Sequence, residues 1–254
     1  MGDFTYNGVS AHDLGLTVER YPGIHKPRKR ITRHSIPGRN GELTQWDGSY
    51  DNVTIRYQCW FAADALAPIG HRTLAERARD IADWLGLAPA QARLEDTYDE
   101  GIFRLASFAG PLDVENSLNQ YGRVDIEFSC APQSFLTSGE RRQEVNALNA
   151  LLVNNPTQYT ALPLIEVTMK EKGSGVVRID DYSLNFFFGS TPADTVYFDC
   201  ELMEAWYYQD GVAVSCNKNV SSPNYPKIDP GFHQVSWSGL GIASVAIIPR
   251  WWRI

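Results

Sequence analysis

Hydrophobic and polar side chains alternate most regularly in the stretch from Val53 to Phe61. The hydrophobic positions are Val53, Ile55, Tyr57, Cys59 and Phe61, and the polar positions between them include Thr54, Arg56 and Gln58. A period of two residues points one face of a β-strand at a core and the other face at water. The pattern therefore predicts a half-buried strand from Val53 to Phe61.

The segment before this strand, Ile31 to Tyr50, carries few apolar residues and two turn signals. The signals are Pro37-Gly38-Arg39-Asn40-Gly41 and Asp47-Gly48. Asn-Gly and Asp-Gly pairs adopt the positive φ angles of tight hairpins, so we expect the chain to double back at least once. Because such a hairpin has too little apolar surface to bury itself, it either stays mobile or lies against another chain.

A helix is predicted after the strand, from Thr73 to Leu85. The run Thr73-Leu74-Ala75-Glu76 is a capping box, and apolar residues follow it at helical spacing. Short strand signals, of which the first two are expected to form an opening hairpin, occur at Phe4–Val9, Leu14–Val18, Arg93–Glu95, Ile102–Phe108, Leu112–Glu115 and Gly122–Cys130. Residues 1–132 are therefore predicted as an α+β domain, a β-sandwich-like sheet with one packed helix and a protruding hairpin arm.

The pattern weakens between residues 133 and 160, which we interpret as a connector. A helix through Val145 and Leu152 and an extended chain before Pro156 fit equally well, so both remain open. Short strands then follow one another over residues 161–254. Turns are expected at Gly173-Ser174-Gly175 and Asp210-Gly211. Many short strands with frequent turns and no helix predict an antiparallel β-sandwich, and hence a mainly β protein of two domains.

The net charge limits the class of partner. The chain has 23 Lys and Arg against 30 Asp and Glu, a net charge of -7. Because phosphate neutralisation needs a basic face, specific nucleic-acid binding is not expected. Positive charge is concentrated at Lys26–Arg30 with Arg33 and His34, which predicts a solvated or partner-facing arm. No membrane span or signal segment is recognisable, so we expect the protein to stay in the cytoplasm or to leave it without a signal.

The sequence lacks the common catalytic and metal-binding patterns. The cysteines show no CxxC spacing and are interpreted as reduced, buried thiols, although Cys200 and Cys216 are spaced to meet across a hairpin. There is no HExxH, GxSxG or Walker pattern, and the histidines are scattered. Acidic pairs such as Glu95-Asp96 and Asp180-Asp181 keep a glycoside hydrolase as a third hypothesis, because that chemistry needs only two carboxylates at a set distance. We therefore expect no enzymatic activity, no cofactor and no metal.

Aromatic side chains are concentrated in the second half of the chain. Trp206, Tyr208 and Trp237 are candidates for a ligand or partner surface. Sugar-binding sandwiches stack pyranose rings on such side chains, and protein interfaces use them as anchors. Burial in the core is the third interpretation, and the sequence leaves all three open.

Short motifs at both ends of the chain carry a resemblance to a known family. Towards the N-terminus they are Phe4-Thr5-Tyr6-Asn7-Gly8, Asp13-Leu14-Gly15-Leu16, Ile36-Pro37-Gly38-Arg39-Asn40-Gly41 and Phe128-Ser129-Cys130-Ala131-Pro132. Towards the C-terminus they are Asn155-Pro156, Pro163-Leu164-Ile165, Pro230-Gly231, Ser236-Trp237 and Pro249-Arg250-Trp251-Trp252-Arg253. In their order and spacing the chain resembles the distal tail protein (Dit) family of long, non-contractile-tailed phages.

The resemblance implies an N-terminal domain that closes a homohexameric ring and a galectin-like C-terminal β-sandwich. It implies a structural hub at the distal end of the phage tail in the virion, joining the tail tube protein to tail-tip or baseplate proteins, or to a tail-associated fibre or lysin protein. The family completes its ring with an arm, and residues 22–50 occupy that position. The candidate subunit-interface residues are Arg28, Arg30, Arg39, Trp46 and Tyr50.

The rival hypothesis is a carbohydrate-binding receptor module, in which the second domain, residues 161–254, touches a host-surface saccharide. The His-x-Asn-Pro-Arg and Trp-Gly-x-Glu runs of galectin sugar sites do not occur in the sequence.

Overall fold

The computed structural model describes residues 2–20, 22–23, 25–63, 73–108, 110–117, 120–170, 172–189 and 195–254. The chain divides into two compact units, Met1–Ser134 with Ile254 and Phe135–Arg253. Antiparallel strands dominate both units, which confirms the predicted mainly β class. In the described part of the chain, no helix has the length and apolar character needed to cross a membrane.

The first unit is a large sheet with one packed helix and a separate two-stranded hairpin. Its elements are β1 (Phe4–Tyr6), β2 (Val9–Ser10), a 3-10 helix (His12–Leu14), β3 (Thr17–Arg20), β4 (Lys29–Ser35), β5 (Glu42–Tyr50), β6 (Val53–Ala62), α1 (Leu74–Gly86), β7 (Ala92–Asp96), β8 (Ile102–Phe108), β9 (Val114–Ser117) and β10 (Tyr121–Leu136). The sheet order is β2-β1-β7-β8-β10-β6-β3, with β9 beside the start of β10. Among the described residues, strands β4 and β5 pair with each other and with no other strand.

The core of this unit lies between the sheet and α1. The inward residues of β6 are buried in strict alternation, as the sequence pattern predicts. Aromatic rings fill the centre: Phe4 stacks on Tyr57 with centroids 4.2 Å apart, and Tyr6 packs on Phe128 at 4.6 Å. The predicted capping box is confirmed, because the Thr73 Oγ1 accepts a hydrogen bond from the Glu76 N–H at 3.2 Å and the Glu76 carboxylate accepts one from the Thr73 N–H.

The predicted opening hairpin is only partly right. Asn7-Gly8 does turn the chain, but β1 pairs with the short β2. Leu14 lies in the 3-10 helix, which ends at Gly15 with a left-handed φ of 76°. The strand that follows, β3, therefore begins at Thr17 and pairs with β6.

The second unit consists of two antiparallel sheets around one core. Its strands are β11 (Gln143–Val145), β12 (Leu151–Asn155), β13 (Leu164–Met169), β14 (Gly173–Ile179), β15 (Tyr182–Phe188), β16 (Thr195–Asp199), β17 (Glu204–Gln209), β18 (Val212–Ser215), β19 (Val220–Ser221), β20 (Gly231–Ser238), β21 (Ile242–Ile248) and β22 (Trp252–Arg253), with 3-10 helices at Thr137–Glu140 and Asn217–Asn219. The sheet orders are β11-β21-β13-β16-β17-β18 and β12-β20-β14-β15-β19. Buried residues of both sheets, such as Val167 and Val177, join one hydrophobic cluster, which makes the unit a β-sandwich.

The interpretation of residues 133–160 as a connector is wrong. This segment contains β11 and β12, which pair with β21 and β20. It buries Val145 and Val153 in the core of the second unit. The extended alternative therefore holds, and the division of the chain falls near residue 134 rather than at a long linker.

The turn predicted at Gly173-Ser174-Gly175 is also wrong, because these residues belong to β14. Glycine serves close packing here. A Cβ on Gly175 would lie 2.2 Å from the Ile242 Cδ1. The absence of a side chain thus lets β14 approach the residues beside it, whereas the sequence signal alone is typical of a turn.

Candidate functional site

The predicted arm is a β-hairpin built from β4 and β5. Ser35 pairs with Glu42, so residues 36–41 form the tip. Gly38 and Gly41 have φ angles of 80° and 82°, and the Arg39 N–H donates to the Ile36 carbonyl at 3.1 Å. These glycines supply the left-handed conformations that let the chain double back.

The second turn signal, Asp47-Gly48, has a different structural role. It lies inside β5, where Ile31 pairs with Trp46 but Lys29 pairs with Tyr50, so the ladder contains a bulge. The Asp47 carboxylate accepts hydrogen bonds from the Ser49 N–H at 2.8 Å and the Ser49 hydroxyl at 2.7 Å, which lower the pKa of Asp47. The Asp-Gly pair therefore shapes the strand rather than reversing it.

The hairpin has no core of its own. Every residue of β4 is exposed, as is β5 up to Gly48, and Trp46 keeps 45% of its surface exposed. The two faces differ in character. Ile31 and Trp46 are opposite each other on one face, whereas Thr32 and Gln45 are opposite each other on the other. The face with Ile31 and Trp46 carries two exposed apolar side chains at one cross-strand pair, whereas the opposite face carries the exposed Leu43 nearer the tip.

Contacts around Trp46 order the base of this face. The Trp46 Nε1 donates to the Ser49 carbonyl at 2.9 Å, and the Trp46 and Tyr50 rings meet edge to face with centroids 5.5 Å apart. The Lys29 Nζ lies 4.5 Å from the centroid of the Trp46 ring. Trp46 is therefore held in place while remaining open to solvent.

The candidate arginines lie at opposite ends of the arm. Arg30 pairs with Asp51 at 2.8 Å, and the Asp51 N–H donates to the Arg28 carbonyl at 2.8 Å, which closes the base. Arg39 lies at the tip. Within the described residues, neither Arg28 nor Arg39 has a carboxylate partner. The structure thus brings Trp46 and Tyr50 together and separates them from Arg39.

The aromatic candidates of the second unit do not form one cluster. Trp206 and Tyr208 lie on β17, and both contact Tyr197 of β16, with centroids 5.7 Å and 5.8 Å away. Ala205, the neighbour of Trp206 in β17, is buried. Because side chains alternate along a strand, Trp206 and Tyr208 lie on the opposite, outer face of the sheet, together with Tyr197. Trp237 is in the other sheet, packs against the core and donates its Nε1 hydrogen to the Val145 carbonyl at 2.9 Å. Trp237 is therefore a structural residue here.

A groove of about 490 Å³ lies on the solvent-facing side of the first unit's sheet. Its charged lining comprises the carboxylates of Glu19, Asp113, Glu115, Asp125 and Glu127 and the guanidinium groups of Arg56 and Arg123. Arg56 pairs with Asp125 and, at 3.5 Å, with Glu127, and Arg123 pairs with Glu19 at 2.8 Å. The groove has a net negative charge, and the sequence does not reveal it, because its walls come from four separate strands and the loop before β9.

The acidic pairs considered for glycoside hydrolysis contain carboxylates that already form hydrogen bonds within the protein. Asp96 accepts a hydrogen bond from the buried Tyr57 hydroxyl at 2.8 Å, and Asp180 bonds to His233 at 2.5 Å and to the Gln234 N–H at 2.8 Å. Among the described residues, no group of three or more His, Cys, Asp or Glu is arranged to hold a metal ion. These carboxylates stabilise turns and strand ends.

No family model matches the sequence, and no curated protein matches it. Solved structures do match. The chain aligns over 100% of its length with 100% of the Dit (gp 19.1) protein of phage SPP1, described as a paradigm of the hub adsorption apparatus in phages that infect Gram-positive hosts, with a TM-score of 0.66 and 11% identity. The chain has the fold of a Dit-like phage tail hub.

A second match to the Dit-like fold is a chain of the phage P2 baseplate in its activated conformation with Ca. The alignment covers 97% of each chain, with a TM-score of 0.55 and 8% identity. The two matched structures are thus a phage hub adsorption protein and a chain of a phage baseplate.

Proposed function

We propose that this chain is a structural tail protein of a phage, a homohexameric hub that joins the tail tube to tail-tip or baseplate proteins in the virion. The Dit-like fold along the whole chain supports a hub role. The arm supports assembly, because it presents Trp46 and Ile31 to solvent on one face and has no core of its own. A hairpin of this kind gains burial only from another chain.

A ring is one of the two assemblies that such a contact can build. An arm that reaches a different surface on the next copy makes a head-to-tail interface, and such interfaces either close into rings or grow into filaments. The galectin-like second unit would then project from the ring and receive the tip, fibre or lysin proteins. No step of this role needs a cofactor.

Excision of the arm tests the proposal directly. Because the Asp51 N–H already bonds to the Arg28 carbonyl at 2.8 Å, residues 29–50 can be replaced by a short Gly-Ser turn that joins these two neighbours. We expect about six copies in the wild-type particle by light scattering and a monomer for the excised variant. The excised variant should keep a β-rich circular dichroism spectrum and the wild-type melting temperature, since β4 and β5 pair with no other described strand. A wild-type chain that stays monomeric at tens of micromolar, or an excised variant that still forms the ring, would refute an arm-built hub.

A carbohydrate-binding module is the second candidate function. It is favoured by the outward-facing group of Tyr197, Trp206 and Tyr208, since flat aromatic surfaces stack on sugar rings. Glycan-array binding by the full chain, lost in Trp206→Ala and kept in Trp237→Phe, would establish it. Equal binding by wild type and Trp206→Ala would remove this role from the trio.

A further inference from the structure

Charge is unevenly divided between the arm and the rest of the chain. Residues 26–50 contain six Lys or Arg and two Asp or Glu, a net charge of +4, while the whole chain carries -7. The remainder therefore carries -11. Within the arm, Arg33 lies 3.8 Å from Glu42, whereas the tip cation Arg39 has no carboxylate partner among the described residues.

The groove on the first unit's sheet carries an excess of negative charge, opposite in sign to the charge of the arm. Five carboxylates and two guanidinium groups line it, and the two arginines are already paired with Glu19, Asp125 and Glu127. Asp113 and Glu115 are exposed and form no salt bridge within 4 Å of a described residue, although Glu115 lies opposite Arg123 in the β9–β10 pair. The residues that β6 and β10 contribute to the groove include the exposed Arg56, Gln58, Arg123 and Glu127.

Size decides which part of a partner fits. A space of about 490 Å³ accommodates a few side chains or a small ligand rather than a pair of strands. The tip of the arm, residues 36–41, meets this limit and contains one cation and no acid. An arginine also presents a planar fork that bonds a carboxylate through two parallel N–H groups.

We infer that the groove of one copy receives the arm tip of the next copy, with Arg39 placed between Asp113 and Glu115. This inference rests on the proposed ring and names the surface that the arm meets. The contact is head-to-tail, because the tip and the groove are different patches of the same chain. It adds a polar anchor at the tip to the apolar anchor of Trp46 at the base.

A charge swap in the full chain tests the contact. Asp113→Lys with Glu115→Lys should raise the concentration at which the ring dissociates by roughly ten-fold or more, because like charges then meet Arg39. Adding Arg39→Glu to that variant should restore much of the loss, and the wild-type ring should weaken as salt shortens the Debye length. Asp83→Lys, an exposed reversal on α1, is the matched control and should leave the ring unchanged. Thermal melts confirm that each variant folds.

A cross-link separates failure of the contact from failure of the ring. Since all four native cysteines are buried, Arg39→Cys in one copy and Asp113→Cys in another provide the only surface thiols. A short bis-maleimide should link these two copies, and should not link Arg39→Cys to Asp83→Cys. A stable wild-type ring with no cross-link and no effect of the charge reversal would overturn the tip-and-groove contact while leaving the hub intact. A cross-link from a chain that forms no ring would support the contact and refute the ring. If neither a cross-link nor a ring is found, both the contact and the ring are refuted. If the groove binds only a different basic protein, its occupant is not a second copy of this chain.

Discussion

At the residue scale, the cysteines show how burial controls chemistry. All four thiols are free and buried. Burial raises the pKa of Cys59 and of Cys130 to about 12 and that of Cys216 to about 11, because the charged thiolate loses its hydration. The native protein therefore holds its thiols in the unreactive, protonated form.

We expect no thiol of the native protein to react with a disulfide reagent at pH 8, and four to react after denaturation.

The same pKa shifts predict how the stability of the protein changes at alkaline pH. Since the folded pKa values lie above the unfolded value of 9.0, the folded state holds its protons longer, and its advantage is complete below pH 9 and lost as the pH rises towards 12. Replacement of Cys59 by Ala should reduce this alkaline loss in urea titrations. Rapid labelling of the native chain would contradict the buried placement.

At the element scale, both faces of the arm are exposed along β4 and along β5 up to Gly48. Its faces are chemically distinct, with Ile31 and Trp46 on one and Thr32 and Gln45 on the other. An interface that buries apolar surface should use the face with Ile31 and Trp46. Substitutions on the opposite face, at Thr32 and Gln45, then serve as the control.

Trp46→Ala combined with Arg39→Ala should weaken or abolish the ring, because removing an aromatic anchor from an interface centre commonly costs about 2 kcal/mol or more. Thr32→Ala with Gln45→Ala changes the opposite face and should leave the particle mass unchanged. Circular dichroism and melting temperature should stay the same in all variants, since Trp46 belongs to neither hydrophobic core. Early melting of the Trp46 variant with normal assembly would mean that Trp46 supports its own subunit.

Elements with a strong local signal were predictable from the sequence. The strict alternation in β6 and the capping box of α1 are local patterns, and both occur where they were predicted. Glycine signals were less informative. Gly38 marks a turn, Gly48 a bulge and Gly175 a close approach, so the same residue type served three purposes that only the neighbouring strands distinguish.

The candidate site was predictable to the same extent. The arm follows from its turn residues and its poor apolar content, whereas the placement of Trp237 in the core and of Trp206 on the outer face depends on strand order. Predicting the groove requires the register of β6 against β10. These strands are far apart in the sequence, and no local pattern encodes their register.

At the scale of the whole molecule, each unit contains its own hydrophobic core. The second core includes Val145 and Val153, which precede the sandwich that the sequence pattern outlines. Strand β12 closes one sheet beside β20, and β11 closes the other beside β21.

A fragment of residues 135–254 should therefore unfold in a single cooperative transition in urea. A fragment of residues 161–254 lacks β11 and β12 and, with them, the buried Val145 and Val153. Its free energy of unfolding should therefore be lower by about 3 kcal/mol or more, at roughly 1.5 kcal/mol or more per buried side chain. Tryptophan fluorescence reports the difference, because Trp237 loses its acceptor at Val145. Equal midpoints for the two fragments would show that β11 and β12 contribute nothing to this unit.

Within the part of the chain that the structure describes, neither outer edge of the hairpin arm has a hydrogen-bonded neighbouring strand. Open strand edges template pairing with other strands, and two free copies would otherwise join arm to arm and precipitate. The arm's net charge of +4 makes any two arms repel each other, and three of its cations, Lys29, Arg30 and Arg33, lie on β4 itself. We therefore expect the basic residues of the arm to oppose aggregation of the free subunit before assembly.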